Sequence, residues 1–496
     1  MLAPYYPLIN PTNFLHIKPI HPSCRSPTMF AALPSTSSWG ELFSGQNGLL
    51  ALALTGGVAL HAINVHIVTT VLPSVVRDIG GLDWYAWNTT LFVVASILGA
   101  ALSVRLLAAA GARGACLAAL GIFALGSSAC ASAMSMPWML AGRSVQGLGG
   151  GALAALSYSL IRVVFPAPLW PRAVALVSGM WGVATLCGPA VGGLFAQAGH
   201  WRWAFWALLP VALLQAILVA RRLRPAGAAS AQPPIPVVQI ALLAASVLAV
   251  AAGGLSRMLA LQGAGVAAGI ALGVAAIAVE RRSRVRLLPG GTTALDSPLG
   301  AVYASVALLL VGTTTEIYVP YFLQTLHGYT PLAAGYLTAA MAAGWSASSM
   351  LSSGRQGAGA ITMLRAGPML GASSLLALAL LVPAGDALSP AMLMLLCGLA
   401  LAGAGAGVGL GWPHLLTRVL TLAPAGEGGL ASAAITTVQL YGMAIGAAVA
   451  GLVANAAGLS EPGGKAGAQS AAMWLFASFA LAPALAALLA RATGKR

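Results

Sequence analysis

Charged residues are scarce in this sequence, and acidic residues are the scarcest of them. Nine Asp and Glu residues occur among 496, and all charged residues together make up 7%, whereas an ordinary soluble protein has roughly a quarter. This composition excludes a soluble globular protein. The sequence also lacks the alternating segments of roughly ten residues that form transmembrane β-barrels. It therefore predicts an all-α polytopic membrane protein.

Cysteine pairs, basic clusters and enzyme motifs are missing as well. The five cysteines show neither a CxxC pair nor the spacing of metal ligands, so we interpret them as packing residues and expect no metal ion and no cofactor. The formal net charge is +15, but the basic residues are scattered between apolar runs, which argues against a nucleic-acid partner. No HExxH, GxSxG or intramembrane carboxylate pair indicates an enzyme.

Long apolar runs are what the sequence has instead. A helix needs about 20 residues to cross a hydrocarbon core of roughly 30 Å, and a window of about 19 residues predicts fourteen such helices. The predicted helices are 48–76, 84–109, 115–133, 138–161, 172–198, 202–221, 237–256, 258–279, 298–325, 330–352, 365–384, 389–417, 428–458 and 468–490. The proline-rich residues 1–47 are predicted to be a disordered cytoplasmic tail, with Met29 as an alternative start to Met1.

The positions of Lys and Arg predict how these helices are oriented. Cytoplasmic segments of membrane proteins carry the excess of basic residues. With the N-terminus inside, nineteen of the 24 basic residues fall in cytoplasmic segments, and four (Arg77, Arg202, Arg257 and Lys465) fall outside. Arg143 lies within the fourth helix. We therefore predict an even number of crossings, with both termini in the cytoplasm.

GRSVQGLGGG (142–151) is the first stretch that differs from generic transmembrane sequence. Arg143 needs a partner or a water-filled cavity, because an arginine at the bilayer centre costs at least about 3 kcal/mol. Gln146 can form a hydrogen bond to another helix, and the glycines allow backbones to approach closely.

GVATLCGPAVGG (182–193) is the second such stretch. Its proline removes a backbone hydrogen bond, and its glycines offer a smooth face to a neighbouring helix. A kinked helix of this kind is a candidate gating element. The residues concerned are Gly188, Pro189, Gly192 and Gly193.

GTTTEIYVP (312–320) places a carboxylate, Glu316, inside the ninth predicted helix, just before Pro320. The other acidic residues fall in tails, loops or helix ends. An acidic residue within the membrane is a functional-site hypothesis by default.

These stretches together resemble the major facilitator superfamily, in particular its fourteen-helix drug:proton antiporter group. GRSVQGLGGG is similar to the fourth-helix motif, and CGPAVGG followed by WRWAFWALLP is similar to the fifth-helix antiporter motif and its sequel. VPYFLQ with PLAAGY resembles helices nine and ten, and GEGGLASAAITTVQLYGMAIGAAVAG resembles helix thirteen. The resemblance implies two six-helix halves, 48–222 and 298–491, with two extra helices, 237–279, between them.

Two positions depart from the pattern of this group. Asn64 stands where the first helix usually has an acidic residue, and Ala108 stands where the loop between helices two and three usually has an aspartate. The departures weaken the case for a proton site on the first helix and for a charged cytoplasmic latch. The loop keeps Arg105, Gly111 and Arg113.

Glu316, Arg143 and His61 are the candidates for proton coupling. Glu316 could take up a proton from outside and release it when the cavity faces inward, and His61 is a second possible carrier. For Glu316 the alternatives are a structural acid bonded to a neighbouring Thr, Tyr or Arg, or an acid close to the outer surface. For Arg143 the alternative is a structural role, and for His61 it is a hydrogen-bonded packing residue or a substrate contact. A direct contact between Arg143 and Glu316 across the cavity is left open.

Six further residues are candidates for the substrate cavity: Asn64, Gln146, Trp181, Tyr318, Tyr321 and Gln324. For the aromatic residues, packing or anchoring at the membrane interface is the alternative.

The resemblance implies proton-coupled export of a small amphipathic or lipophilic compound by alternating access. A strongly charged substrate is not expected, because it would need counter-charges in the cavity. The expected partners are this substrate, protons and the lipid bilayer, and we expect a monomer in the inner membrane. The alternatives are a facilitator or lipid-like substrate carrier with weak or no proton coupling, and a structural or sensory membrane protein.

Overall fold

The computed structural model describes residues 39–166, 169–223, 234–384 and 388–493, and every regular element among them is helical. The prediction of an all-α protein is therefore confirmed. Most of the predicted tail lies outside the described residues. Its last part is mostly helical, because a short helix, α1 (Trp39–Phe43), is followed by the start of the next helix at Gly45.

The further helices follow α1 in chain order. They are α2 (Gly45–Ile79), α3 (Trp87–Ala131), α4 (Met136–Val164), α5 (Trp170–Gln197), α6 (Arg202–Trp206), α7 (Leu208–Arg222), α8 (Val237–Gly253), α9 (Leu259–Arg282), α10 (Pro298–Thr313), α11 (Val319–His327), α12 (Pro331–Ser352), α13 (Ala358–Leu381), α14 (Pro390–Gly409), α15 (Trp412–Leu422), α16 (Gly428–Ala456), α17 (Gly464–Phe479) and α18 (Leu481–Thr493).

Four of the predicted helices are divided in the structure, into α6–α7, α10–α11, α14–α15 and α17–α18. A proline lies in the first turn of the second member of each pair. A proline is tolerated there because the first N–H groups of a helix have no intrahelical acceptor. The four prolines are Pro210, Pro320, Pro413 and Pro483.

Ten helical segments of the described chain are long and apolar enough to cross a membrane, judged by length and composition. One of them, Leu82–Ala131, has 50 residues, which is more than twice the length that one crossing needs. Within it, Gly111 has a φ of 65° and a ψ of 179°, a backbone conformation that residues other than glycine rarely adopt. The polytopic character is thus confirmed, whereas the number of fourteen crossings stays a prediction.

Contacts between helices fall largely into an early and a late group. Helices α2 to α7 contact mainly one another, and α10 to α18 do the same. The two groups meet where α5 packs on α12 and where α3 packs on α16. Helix α8 packs on α9 and also joins α3 and α16, through a buried apolar cluster that includes Val247, Phe92 and Ala444.

Glycine allows the tightest of these contacts. A Cβ atom at Gly147 would lie 2.2 Å from the carbonyl oxygen of Phe92, and one at Gly405 would lie 1.8 Å from that of Met341. Larger residues would therefore push α4 from α3 and α14 from α12. Such close approach increases dispersion contact in a membrane, where no hydrophobic effect drives helices together.

The segment after α9 is tied to the helix ends around it by two carboxylates. Glu280, at the end of α9, accepts hydrogen bonds from the backbone N–H groups of Leu287 and Leu288 at 2.8 and 2.7 Å. Glu427, between α15 and α16, accepts from the Arg286 guanidinium at 2.5 Å and from the Gly290 N–H at 2.7 Å. These bonds hold the segment against the late helices.

The Glu427 contacts predict a pH-dependent stability. The hydrogen bonds from Gly290 and Arg286 hold the pKa of Glu427 below its usual value. A carboxylate with a lowered pKa in the folded state stabilises the fold above its unfolded pKa, and this contribution is lost as the pH falls through the lowered value. We expect Glu427→Gln to lower the melting temperature of the detergent-solubilised protein at neutral pH, and the difference to shrink below about pH 4.

Glu461→Gln is the control for this measurement. The ion pair of Glu461 with Arg257 is highly exposed on both sides, so its removal should change little at any pH. A Glu427→Gln effect of the same size at acidic and neutral pH would contradict the prediction.

Candidate functional site

Arg143 is buried between α3 and α4, and neutral groups surround its guanidinium. Nε donates to the carbonyl oxygen of Asn88 at 3.2 Å, and Nη1 donates to Oε1 of Gln146 at 2.5 Å. Cζ lies 4.0 Å from the centroid of the Phe92 ring. Gln146, three residues along the same helix, passes the interaction on by donating to Ser127 Oγ at 2.8 Å. In the described part of the chain no carboxylate pairs with Arg143.

His61 on α2 shares the Phe92 ring with Arg143. Its imidazole stacks on Phe92 with the ring centroids 5.3 Å apart, and meets the Trp181 ring edge-on at 6.0 Å. Nδ1 of His61 is buried without a hydrogen-bond partner, and a Cβ atom at Gly150 would lie 2.8 Å from it. Two of the proton-coupling candidates therefore meet around a phenylalanine that the sequence did not single out.

Asn64, one turn further along α2, is fully buried, and neither atom of its side-chain amide has a hydrogen-bond partner. An unpaired buried amide costs about 1–3 kcal/mol. Polar groups that stay unpaired at such a cost are common at functional sites. Asn64 therefore remains a candidate for contact with a polar part of a substrate.

Glu316 lies where the ninth predicted helix is interrupted. The hydroxyls of Thr313, Thr314 and Thr315 each donate to the carbonyl oxygen three residues earlier, at 2.8, 2.7 and 3.2 Å. These hydroxyls compete with the helical hydrogen bonds, and Pro320 has no N–H to offer. The chain accordingly tightens into a 3₁₀ turn, Thr314–Ile317, between α10 and α11. The break thus includes Glu316, whereas the sequence placed it beyond Glu316.

The carboxylate of Glu316 has no described partner. The residue is half-buried, although Thr315 and Ile317 on either side are buried. No described side chain forms an ion pair or a hydrogen bond with it, so the contact with Arg143 that the sequence left open is not formed in this conformation. An unpaired acid at a helix break has the chemistry needed to take up and release a proton.

An aromatic cluster joins the early and late helices at one end of the bundle. We call Tyr85, Tyr318, Tyr321, Phe322 and Phe476 the Tyr85 cluster. The Tyr85 ring lies 4.8 Å from Tyr318 and 5.5 Å from Tyr321, measured between centroids. Phe322 stacks on Tyr318 at 5.8 Å and contacts Phe476 at 6.2 Å.

Two polar contacts lie at the same end. Arg77 Nη2 donates to Oε1 of Gln324 at 3.2 Å, and the Asn455 amide donates to the Asp83 carbonyl oxygen at 3.0 Å. Tyr318, Tyr321 and Gln324, three of the cavity candidates, therefore take part in closing this end in the present conformation.

The glycine-rich face of α5 contacts helices of both groups. Cβ atoms at Gly188 and Gly192 would meet α2, at 2.3 Å from His66 Cβ and at 3.0 Å from the Ile67 carbonyl oxygen. A Cβ atom at Gly193 would lie 2.6 Å from Leu332 Cα, on α12. Pro189 lies inside α5 and close to Gly335 of α12. Pro189 and Gly193 thus lie in the seam between α5 and α12, whereas Gly188 and Gly192 face α2.

The other half of α5 is open. Towards Trp170, the residues Val174, Ser178 and Trp181 are exposed. Towards Gln197, Leu186 and Leu194 are still exposed, but Gly188, Pro189, Gly192 and Gly193 are buried. Helix α3 bends at Gly111, and Arg105 and Arg113 lie on either side of the bend. The bend is some 24 residues beyond Trp87, which at 1.5 Å per residue places it roughly 36 Å from the Tyr85 cluster. Near the α5 and α3 motifs, the described contacts between the early and the late helices therefore lie towards the Tyr85 cluster.

Sequence reasoning missed the residues that act through packing. Phe92, Ser127 and Tyr85 look like ordinary helix and loop residues, and no spacing distinguishes them. The cluster WYAW (84–87) was the available signal, because such a density of aromatic residues in a loop between helices is unusual.

Comparison with known proteins finds a family model and relatives that match most of the chain. The family model described as "Major Facilitator Superfamily" matches residues 54–447. The "Probable multidrug-efflux transporter" of Mycobacterium tuberculosis, in strains CDC 1551 and H37Rv, is 39% identical over 453 residues, covering 90% of this chain and 94% of the relative. "Multidrug resistance protein 3" of Bacillus subtilis is 28% identical over 172 residues, covering 35% of this chain and 34% of the relative.

Solved transporter structures share the fold. A bacterial homologue of the human lysosomal transporter Spinster, in an inward-facing and occupied conformation, superposes with a TM-score of 0.61 at 15% identity, covering 91% of this chain and 97% of that one. A POT family transporter in complex with 5-aminolevulinic acid gives 0.66 at 13% identity, covering 93% and 99%. At these identities the likeness concerns the fold alone.

The α5–α12 seam predicts that a side chain at Gly193 opens the Tyr85 end. We expect Gly193→Val to push α12 away, and so to lengthen the distance between spin labels at the exposed positions His200 and Thr325, measured by pulsed electron paramagnetic resonance in a cysteine-free background. Gly182→Val is the matched control on the same helix, because a Cβ atom there meets nothing within 4 Å. An unchanged distance in Gly193→Val would show that the seam does not hold this end closed.

The Arg143 contacts predict a stability role for Gln146. Gln146→Leu removes one acceptor of Arg143 and the donor to Ser127, so we expect a loss of about 1–3 kcal/mol in unfolding free energy, measured by denaturant titration in micelles. Gln469→Leu is the control, because Gln469 donates to the Pro383 carbonyl oxygen at 3.3 Å in a partly exposed position. Equal losses in the two variants would contradict a special role of Gln146.

Proposed function

We propose a transport mechanism on the premise that the chain belongs to the major facilitator superfamily, as its match over residues 54–447 shows. It is a polytopic membrane transporter of small molecules and not an enzyme. We propose that it exports small amphipathic or lipophilic compounds by alternating access, coupled to the entry of protons. The observation that carries this proposal is the near full-length similarity to a probable multidrug-efflux transporter.

The proposed architecture has fourteen crossings. Residues 48–222 and 298–491 form two six-helix halves, and 237–279 adds two helices between them. The Tyr85 cluster then closes the outer end, and the exposed half of α5 faces the cytoplasm, so this conformation is inward-open. Alternating access requires the contacts at the Tyr85 end to break while a cytoplasmic seam forms. We place the protein in a bacterial inner membrane as a monomer, with both termini inside.

Proton coupling is assigned to Glu316. Its carboxylate lies in a helix break and has no described partner, so its protonation costs no ion pair. One proton moving inward supplies about 2.3 kcal/mol per 100 mV of membrane potential. Arg143 is bound by neutral groups and is assigned a positioning role, in which it orients Gln146 and Phe92. His61, unpaired at Nδ1, is the second carrier.

The substrate class follows from the groups available for contact. Trp181 is partly exposed on the open side of α5, and Asn64 offers an unpaired amide. Apolar surface with few polar groups suits a lipophilic compound. Among the described residues within the apolar spans, Glu316 is the half-buried acid whose carboxylate has no partner, whereas the unpaired carboxylate of Asp83 is exposed at the end of its span. A multiply charged substrate would therefore lack counter-charges.

The second candidate is a facilitator or lipid-like substrate carrier with weak proton coupling. The neutral Asn64 on α2, and an Arg143 that is satisfied without any acid, favour it. This candidate leaves Glu316 as a polar contact for the substrate.

Reconstitution in liposomes with an internal pH dye tests both candidates. Under an imposed pH gradient, the wild-type protein should move protons when a lipophilic cation such as ethidium is added. We expect Glu316→Gln to reduce this substrate-dependent proton movement at least tenfold, because an amide cannot carry the proton. Glu461→Gln, which removes an exposed carboxylate, should leave it unchanged.

Undiminished proton movement in Glu316→Gln would remove Glu316 from the mechanism. Substrate flux of equal rate with and without the gradient, in the wild-type protein and the variant alike, would favour the facilitator.

A further inference from the structure

A basic surface lies at the end of α9, and the transport mechanism makes no use of it. Four arginines occur within the six residues 281–286. Arg281, Arg282 and Arg284 are exposed, whereas Arg286 is partly buried. A concentration of positive charge in so short a segment attracts an anionic partner, unless neighbouring acids neutralise it.

The neighbouring acids are engaged elsewhere. Glu280 is buried, and besides two backbone N–H groups it accepts a hydrogen bond from Gln239 at 3.3 Å. Glu427 pairs with Arg286. Asp296 is exposed and forms no ion pair with a described residue. Three positive charges therefore remain uncompensated on this surface.

The three arginines differ in how they are held. Arg281 is fixed by Thr293, with Nε 3.0 Å from Oγ1 and Nη2 2.7 Å from the carbonyl oxygen. Arg282 and Arg284 have no hydrogen-bond or ion-pair partner among the described residues. The segment that presents Arg284 is itself held by Glu280 and Glu427. Less conformational entropy is therefore lost when a ligand binds there.

An apolar stripe on α9 leads to these arginines. Of the described apolar spans, α9 is the least buried, with 17% of its most apolar window inside the protein. Ile270, Val274 and Ile277 are exposed, and their spacing of four and three places them on one helix face, which Arg281 continues one turn later. A helix that exposes such a stripe in a membrane protein lies against lipid acyl chains.

We propose that this surface binds a phospholipid with an anionic head group. The acyl chains lie along the Ile270–Ile277 stripe, and the phosphate accepts hydrogen bonds from Arg281, Arg282 and Arg284. Charge-assisted bonds from guanidinium to phosphate are among the strongest that side chains form. A soluble anion would satisfy the arginines alone, whereas a phospholipid also covers the stripe. This inference does not depend on the direction or coupling of transport.

Native mass spectrometry of the full chain, released from a neutral detergent, tests the proposal. Phosphatidylglycerol and phosphatidylcholine with identical acyl chains are titrated separately, and bound lipid is counted. We expect phosphatidylglycerol to bind more tightly, and the double variant Arg282→Gln/Arg284→Gln to weaken it roughly thirtyfold, because an arginine near an anionic surface contributes about 1 kcal/mol and 1.4 kcal/mol is a factor of ten.

Arg355→Gln is the matched control, since Arg355 is exposed in the segment between α12 and α13. It should leave phosphatidylglycerol binding unchanged. If the melting temperature shows that the double variant is unfolded, the single variants carry the same test, with roughly fivefold weakening each.

Three results would overturn the proposal. The first is equal binding of the two lipids by the wild-type protein, and the second is equal loss in Arg355→Gln and the arginine variants at α9. The third is full displacement of phosphatidylglycerol by millimolar inorganic phosphate, which would indicate a site for a soluble anion.

Discussion

Hydrocarbon solvates neither a charge nor a free backbone group, and this constraint governs every polar feature of the structure. Hydroxyls such as those of Ser96, Ser127 and Thr55 bond to a carbonyl four residues earlier on their own helix. Arg143 satisfies its guanidinium with Gln146, the Asn88 carbonyl and the face of Phe92. Polar groups are thus satisfied locally or in pairs. A group that is not satisfied stands out.

Three of the groups that stand out lie where a transport cycle can act. Glu316, Asn64 and Nδ1 of His61 have no described partner, although each lies within an apolar helix or helix break. For Glu316 the cause is local, since three threonine hydroxyls and a proline prevent a regular helix around it. Violations of local rules are expected at functional or strained sites, and here the helix break and the candidate carboxylate coincide.

The contacts between the early and late helices suit repeated opening. Besides the polar contacts of Arg77 with Gln324, Asn455 with Asp83 and Tyr318 with the Ala86 backbone, the Tyr85 end is joined by stacked rings and by glycine faces. Each such contact is weak compared with a buried hydrogen bond, so it can be exchanged for others at small net cost. Within one group, by contrast, Arg143 and Gln146 link α3 to α4 by buried hydrogen bonds. The difference favours motion between the groups over motion inside them.

Composition and local motifs were sufficient to identify the helical membrane class and the family, and to single out Arg143, Gln146 and Glu316. They also located the glycine face of α5. Three pairings are visible only in the folded chain. Gly193 meets Leu332, Phe92 lies between His61 and Arg143, and Tyr318 and Tyr321 close one end against Tyr85. These pairings join residues far apart in the chain, and the identity of an apolar residue does not say which helix it will meet. The break at Glu316 lies between the two cases, since threonine and proline signal it while the hydrogen-bond geometry sets its position.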